Sequence, residues 1–76
     1  MKSGFAVQVG SFSKVDNARG LRDKLVARGY TAMAKTSGSV TRVYVGPQSS
    51  RAEAEKVLKK LLADFELKGI VVNFSG

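Results

Sequence analysis

The chemistry this chain could perform is bounded first by what it lacks. Its 76 residues contain no histidine and no cysteine, so the common nucleophile–base pairs cannot be assembled and the soft metal ligands are missing. Six carboxylates remain: Asp16, Asp23, Glu53, Glu55, Asp64 and Glu66. All fall in segments of helical period, so the paired carboxylates that glycoside hydrolysis needs are not expected on any strand face. Ser11 has no base near it in the sequence and reads as a turn or binding hydroxyl. Neither catalysis nor a cofactor is expected, and the residues that stand out are suited to holding a polymer. In "FAVQVGSF", residues 5–12, strand alternation sets Phe5, Val7 and Val9 on one face and Ala6, Gln8 and Gly10 on the other, with Ser11 at the exit. In "TRVYVGP" the same alternation sets Arg42 and Tyr44 opposite Val43 and Val45. Gln8 offers two donors and an acceptor, and Arg42 offers a planar fork that matches a carboxylate. Tyr44 supplies a ring with a polar tip, and Gly10 leaves room for a polymer backbone to approach. Planar polar groups, a ring and a hydroxyl on one face suit a sugar polymer.

The elements that must position these residues are readable from a repeat. Offsetting the chain by 36 residues lays Val7 on Val43, Val9 on Val45, Gly10 on Gly46, Ala18 on Ala54 and Leu25 on Leu61. Each copy reads as strand, glycine turn, serine and helix, one supersecondary unit used twice. Ser13 with Asp16 and Ser50 with Glu53 have capping-box spacing for two helices. Ala18, Leu21 and Leu25 recur at helical period, as do Ala54, Val57, Leu58, Leu61 and Phe65. Gly29 and Gly69 follow the two helices where a left-handed cap is expected. "YTAMAKT" and "GIVVNF" supply the two further strands. The order β-α-β-β-α-β, with right-handed crossovers, predicts an α+β fold of ferredoxin-like (RNP-like) type. Its four-stranded antiparallel sheet carries two helices on one face and leaves the other open. In the last strand, Ile70, Val72 and Phe74 alternate with Val71 and Asn73; the larger apolar set is expected inward, which sends Asn73 to the open face.

Composition narrows the partner. Thirteen Lys and Arg against six Asp and Glu give a net charge of +7, which favours nucleic acid, an anionic lipid surface or an acidic polymer. An RNA-recognition module has the same architecture but stacks bases on several aromatics of its central strands. Tyr44 alone is expected there, so an RNA or single-stranded DNA module stands as the alternative reading. The lysines expected on the second helix, Lys56, Lys59, Lys60 and Lys68, read as a solvated surface because the apolar side of that helix is needed for the core. A protein partner could pair with the strand edge at Thr31–Thr36. "MKSG" reads as a short linker remnant, residues 1–4, ahead of a domain spanning residues 5–75.

"VQVGSF", "DNARGLRDKLVARGY" and "TRVYVGP", in this order and spacing, resemble a SPOR domain, the peptidoglycan-binding module of bacterial cell-division proteins, in particular the DedD-like group. The resemblance implies binding of septal peptidoglycan, with preference for glycan strands denuded of their stem peptides. It also implies a periplasmic location at the division septum, a membrane-anchored parent protein and other division proteins as partners; the isolated domain is expected to be a monomer. The family's strand-1 glutamine falls on Gln8, its small hydroxyl residue on Ser11 and its strand-3 arginine on Arg42. Some members carry tryptophan on the sheet face; this chain has none, and Tyr44 is the nearest substitute. The expected glycan-binding set is Gln8, Gly10, Ser11, Arg42, Tyr44 and Asn73.

Overall fold

Two Val-rich strands related by the repeat are each apolar on one face, and the cheapest way to bury both is to pair them side by side under the same helices. In the computed structural model, which describes residues 3–75, they are β1 (Ser3–Phe12) and β3 (Val40–Gln48), the central antiparallel pair of a four-stranded sheet. β2 (Ala32–Ser37) lies outside β3 and β4 (Ile70–Ser75) outside β1, giving the order β2-β3-β1-β4 with every pairing antiparallel. α1 (Val15–Ala27) follows β1 and α2 (Arg51–Phe65) follows β3. This is the ferredoxin-like β-α-β-β-α-β arrangement expected from the pattern. The strand begins earlier than expected: Ser3 and Gly4 pair with Ser75 and Phe74 as part of β1, while Met1 and Lys2 lie outside the described residues.

The core is the one the periodicity implies. Val7, Val9, Val43 and Val45 from the sheet meet Ala18 and Leu25 of α1 and Ala54 and Leu61 of α2. Leu25 and Leu61 are fully buried, so truncating either to alanine would cost about 2–5 kcal/mol. Ala18 and Ala54 are also fully buried between helices and sheet, and a larger side chain there would push the layers apart. Thr41, the buried polar residue of the core face, exchanges a hydroxyl contact of 2.9 Å with Thr36, its cross-strand partner.

Helix ends follow the sequence in part. At α2, Ser50 accepts from the Glu53 backbone N–H at 3.2 Å, as its spacing implies. At α1 the N-cap is Lys14 with no side-chain cap bond, so the expected Ser13–Asp16 box does not form. The reason is β1, which runs on to Phe12 and moves the helix start one residue along. Gly29 ends α1 in the left-handed region, with its N–H bonded to Val26 and that of Tyr30 to Leu25, as expected. At α2 the left-handed position is taken by Glu66 instead of Gly69.

Gly10 and Gly46 do not end their strands in turns. Each lies within its strand beside an irregularity in the β1–β3 pairing, one between Gln8 and Gly10 and one between Phe5 and Val7. At Gly46, φ is +131° and an added Cβ would stand 3.2–3.3 Å from Gln48 N, Ala6 Cα and Phe5 O. All three are backbone atoms that cannot swing aside.

One further tie holds the ends of the two helices. Tyr30 packs edge-on against Phe65 with centroids 6.1 Å apart, and its hydroxyl donates to Asp64 Oδ2 at 2.7 Å. Acceptance by Asp64, followed by desolvation, raises the phenol pKa above its usual 10.0. A group raised in the folded state stabilises fully below its unfolded pKa and loses that contribution as pH rises through the folded value. Tyr30→Phe should therefore cost less than about 1 kcal/mol at neutral pH, and its deficit should vanish as pH rises well past 10. Urea unfolding at a series of pH values reads this directly; a deficit independent of pH contradicts it. In the same assay Gly46→Ala should cost about 1–3 kcal/mol, and an unchanged midpoint would refute the crowding argument.

Candidate functional site

Residues paired directly across antiparallel strands share a face, so the register assigns every sheet residue to the helix side or the open side. One row, Ala32–Val45–Val7–Val71, crosses all four strands through the core. The next row, Met33–Tyr44–Gln8–Ile70, must then lie on the open face, with Lys35–Arg42–Ser11 beyond it at one end. At the other end Ala6 pairs with Val72 and Gly4 with Phe74. Gln8, Ser11, Arg42 and Tyr44 are thus brought together on one surface. Gln8 and Tyr44, equivalent positions in the repeat, are direct partners, as are Ser11 and Arg42.

Two expected members are not on this surface. Gly10 pairs with Val43, a core residue, and a Cβ built on it would meet the Phe12 ring at 2.7 Å and Leu21 at 3.5 Å. It faces α1. The cause is the bulge: Val9 has no partner in the β1–β3 register between the Gln8 and Gly10 pairs, so alternation slips by one residue. Val9 and Gly10 both turn to the helix side, and Ser11, which simple alternation would send inward, comes out beside Arg42. Asn73 is the second correction. It pairs with Phe5, and its neighbour Val71 pairs with Val7 and packs on the core, so the Val71–Asn73 set faces the helices. Ile70, Val72 and Phe74, the larger apolar set, face out instead, and Ile70 is 58% exposed. Register decided the face of β4 against its hydrophobicity.

That reversal changes the chemistry of the surface. Tyr44 is not alone: its ring lies 5.8 Å from that of Phe74, the planes tilted by 57°. The Lys35 ammonium stands 4.4 Å from the Phe74 ring centroid. Lys35 belongs to one outer strand at the Ser11 end and Phe74 to the other at the Gly4 end. Their meeting requires the face to be concave along that diagonal, as twist and two bulges produce. Ala6, in the middle of this face, has no exposed surface; the large side chains around it close over it. Lys35, Phe74, Ile70, Val72 and Met33 share this face and were not among the expected site residues. For the β4 residues the signal was available only through pairing: Gln8 opposite Ile70 settles the whole strand.

The electrostatics of the face are one-signed. Five carboxylates lie within α1 and α2 and the sixth, Glu66, caps α2. The four strands carry none, whereas the open face carries Lys35 and Arg42. Neither forms an ion pair among the described residues, where the pairs found are Arg22–Asp23 and Lys56–Glu53, both at the surface. The arrangement can hydrogen-bond, stack and attract an anion. A separate shallow cleft of about 420 Å³ lies on the helix side, lined by Phe12, Asn17, Leu21, Lys24 and Leu67 among others, away from all four retained site residues.

Comparison with known proteins agrees with this architecture. The solution structure of the peptidoglycan-binding domain of the B. subtilis cell wall lytic enzyme CwlC is similar with a TM-score of 0.82 and 23% identity, over 99% of this chain and 94% of that one. A structure described as Spor protein DedD is similar with a TM-score of 0.72 and 26% identity, over 95% of this chain but 39% of that one. No curated protein matches the sequence. The SPOR domain family model matches residues 2–73, and the chain belongs to the SPOR domain family.

Proposed function

We propose that this domain binds the glycan strands of peptidoglycan in the concave face of its sheet, without catalysis, and prefers strands denuded of their stem peptides. Membership of the SPOR family and likeness to a peptidoglycan-binding domain support the polymer. The observation that carries the site is the grouping of Gln8, Ser11, Arg42 and Tyr44 on one face whose only charges are positive. An amide, a hydroxyl and a ring suit the acetamido groups, hydroxyls and apolar faces of amino sugars. Removing a stem peptide leaves a free lactyl carboxylate on each muramic acid, so a denuded strand is a regular polyanion. Arg42 meets it with a fixed fork. A strand that keeps its peptides also adds bulk that the concave face has little room to admit. Through this binding the domain directs its parent protein, anchored in the inner membrane, to the periplasmic side of the division septum. Nucleic acid suits the face less well, since Tyr44 is the one aromatic ring on the open face of the two central strands.

Co-sedimentation with purified sacculi, before and after amidase treatment, tests the reading. Bound protein should rise with amidase treatment and fall for Gln8→Ala and Arg42→Ala, each by about three- to tenfold, with circular dichroism unchanged. Absence of sedimentation, or indifference to both substitutions, contradicts it. Phe74→Ala should weaken binding while Asn73→Ala leaves it within about twofold, because only the first side chain is on the open face. The reverse ranking would mean that the glycan lies elsewhere.

A further inference from the structure

Lys35 and Arg42 are direct cross-strand partners on a face with no carboxylate. Like charges placed opposite one another repel, and nothing anionic among the described residues relieves them. The exposed Lys35 side chain reaches across the concave face and sets its ammonium 4.4 Å from the centre of the Phe74 ring. That contact occupies a ring face beside Tyr44 that could otherwise meet a sugar.

We propose that Lys35 is a specificity-determining latch, released from Phe74 by a carboxylate bound at Arg42; the inference rests on the glycan reading above. A carboxylate seated against Arg42 cancels the repulsion and offers Lys35 a charge-assisted hydrogen bond, stronger than an exposed ring contact. The ammonium then swings to the anion and uncovers Phe74 for the apolar side of a neighbouring sugar. A glycan without carboxylates supplies nothing to draw the latch and must displace it unaided. Selection for denuded strands thus acts through both the charge it satisfies and the ring it exposes.

Proton–carbon correlation spectra of the lysine side chains test this. In the free domain the Lys35 Hε resonance should be shifted upfield by the Phe74 ring, and Phe74→Leu should abolish that shift. A tetrasaccharide of alternating N-acetylglucosamine and N-acetylmuramic acid with free lactyl groups should return Lys35 Hε to the position of the other lysines. Chitotetraose, which lacks the carboxylates, should leave it upfield. Lys35→Gln should weaken the muramic tetrasaccharide by about fivefold and narrow its advantage over chitotetraose. An unshifted Lys35 in the free domain overturns the latch. So does binding of the muramic tetrasaccharide at Gln8 and Arg42 with Lys35 still upfield, and the glycan reading then stands. Failure of the muramic tetrasaccharide to perturb the sheet face at all overturns the glycan reading and the latch together.

Discussion

The antiparallel pairing of β1 with β3 is the constraint on which the rest depends. It joins the two copies of the repeat at equivalent residues, Gln8 to Tyr44, and so fixes both faces at once. On one side it gathers four valines into a floor for the helices. On the other it sets an amide against a ring and a hydroxyl against a guanidinium. Because side chains alternate with period two, shifting this pairing by a single residue would move the valines to water and the polar set into the core. The apolar face therefore enforces the geometry of the polar one, and stability and recognition rest on the same register.

Charge is divided between the layers in a way the net value conceals. The helices mix the two signs, seven cations with five carboxylates, and pair some of them at Arg22–Asp23 and Lys56–Glu53. The strands hold cations alone. An overall +7 favours approach of an anionic polymer from any direction, but a field of one sign at contact distance exists over the sheet. Concavity strengthens it, because a curved face brings Lys35, Arg42, Tyr44 and Phe74 toward one volume instead of spreading them over a plane.

Much of this was legible in the sequence. The repeat and the alternation of Val with polar residues gave the fold, the core and the meeting of Gln8, Arg42 and Tyr44 on one face, whereas Ser11 joins them through the bulge at Val9. Ser50–Glu53 and Gly29 were readable because capping depends on local backbone chemistry. What could not be read was nonlocal. Gly10 was misassigned because a bulge at Val9 shifts the phase of alternation, and a bulge is a property of two strands. Asn73 was misassigned because hydrophobicity favours Ile70–Val72–Phe74 as the inward set, whereas pairing of Ile70 with Gln8 and of Val71 with Val7 turns that set outward. Phe74 and Lys35 followed the same logic, one hidden by the strand reversal and the other by a curvature that brings opposite edges together.

The most direct test of the account is a map of backbone and side-chain resonances perturbed by the muramic tetrasaccharide. The account predicts changes centred on Gln8, Ser11, Arg42 and Tyr44, extending to Ile70, Val72 and Phe74. Val71, Asn73 and the α2 lysines should stay silent. Perturbations centred on the outer surface of α2, or on the cleft between Phe12 and Leu67, would contradict it, leaving the concave face without the role its chemistry implies.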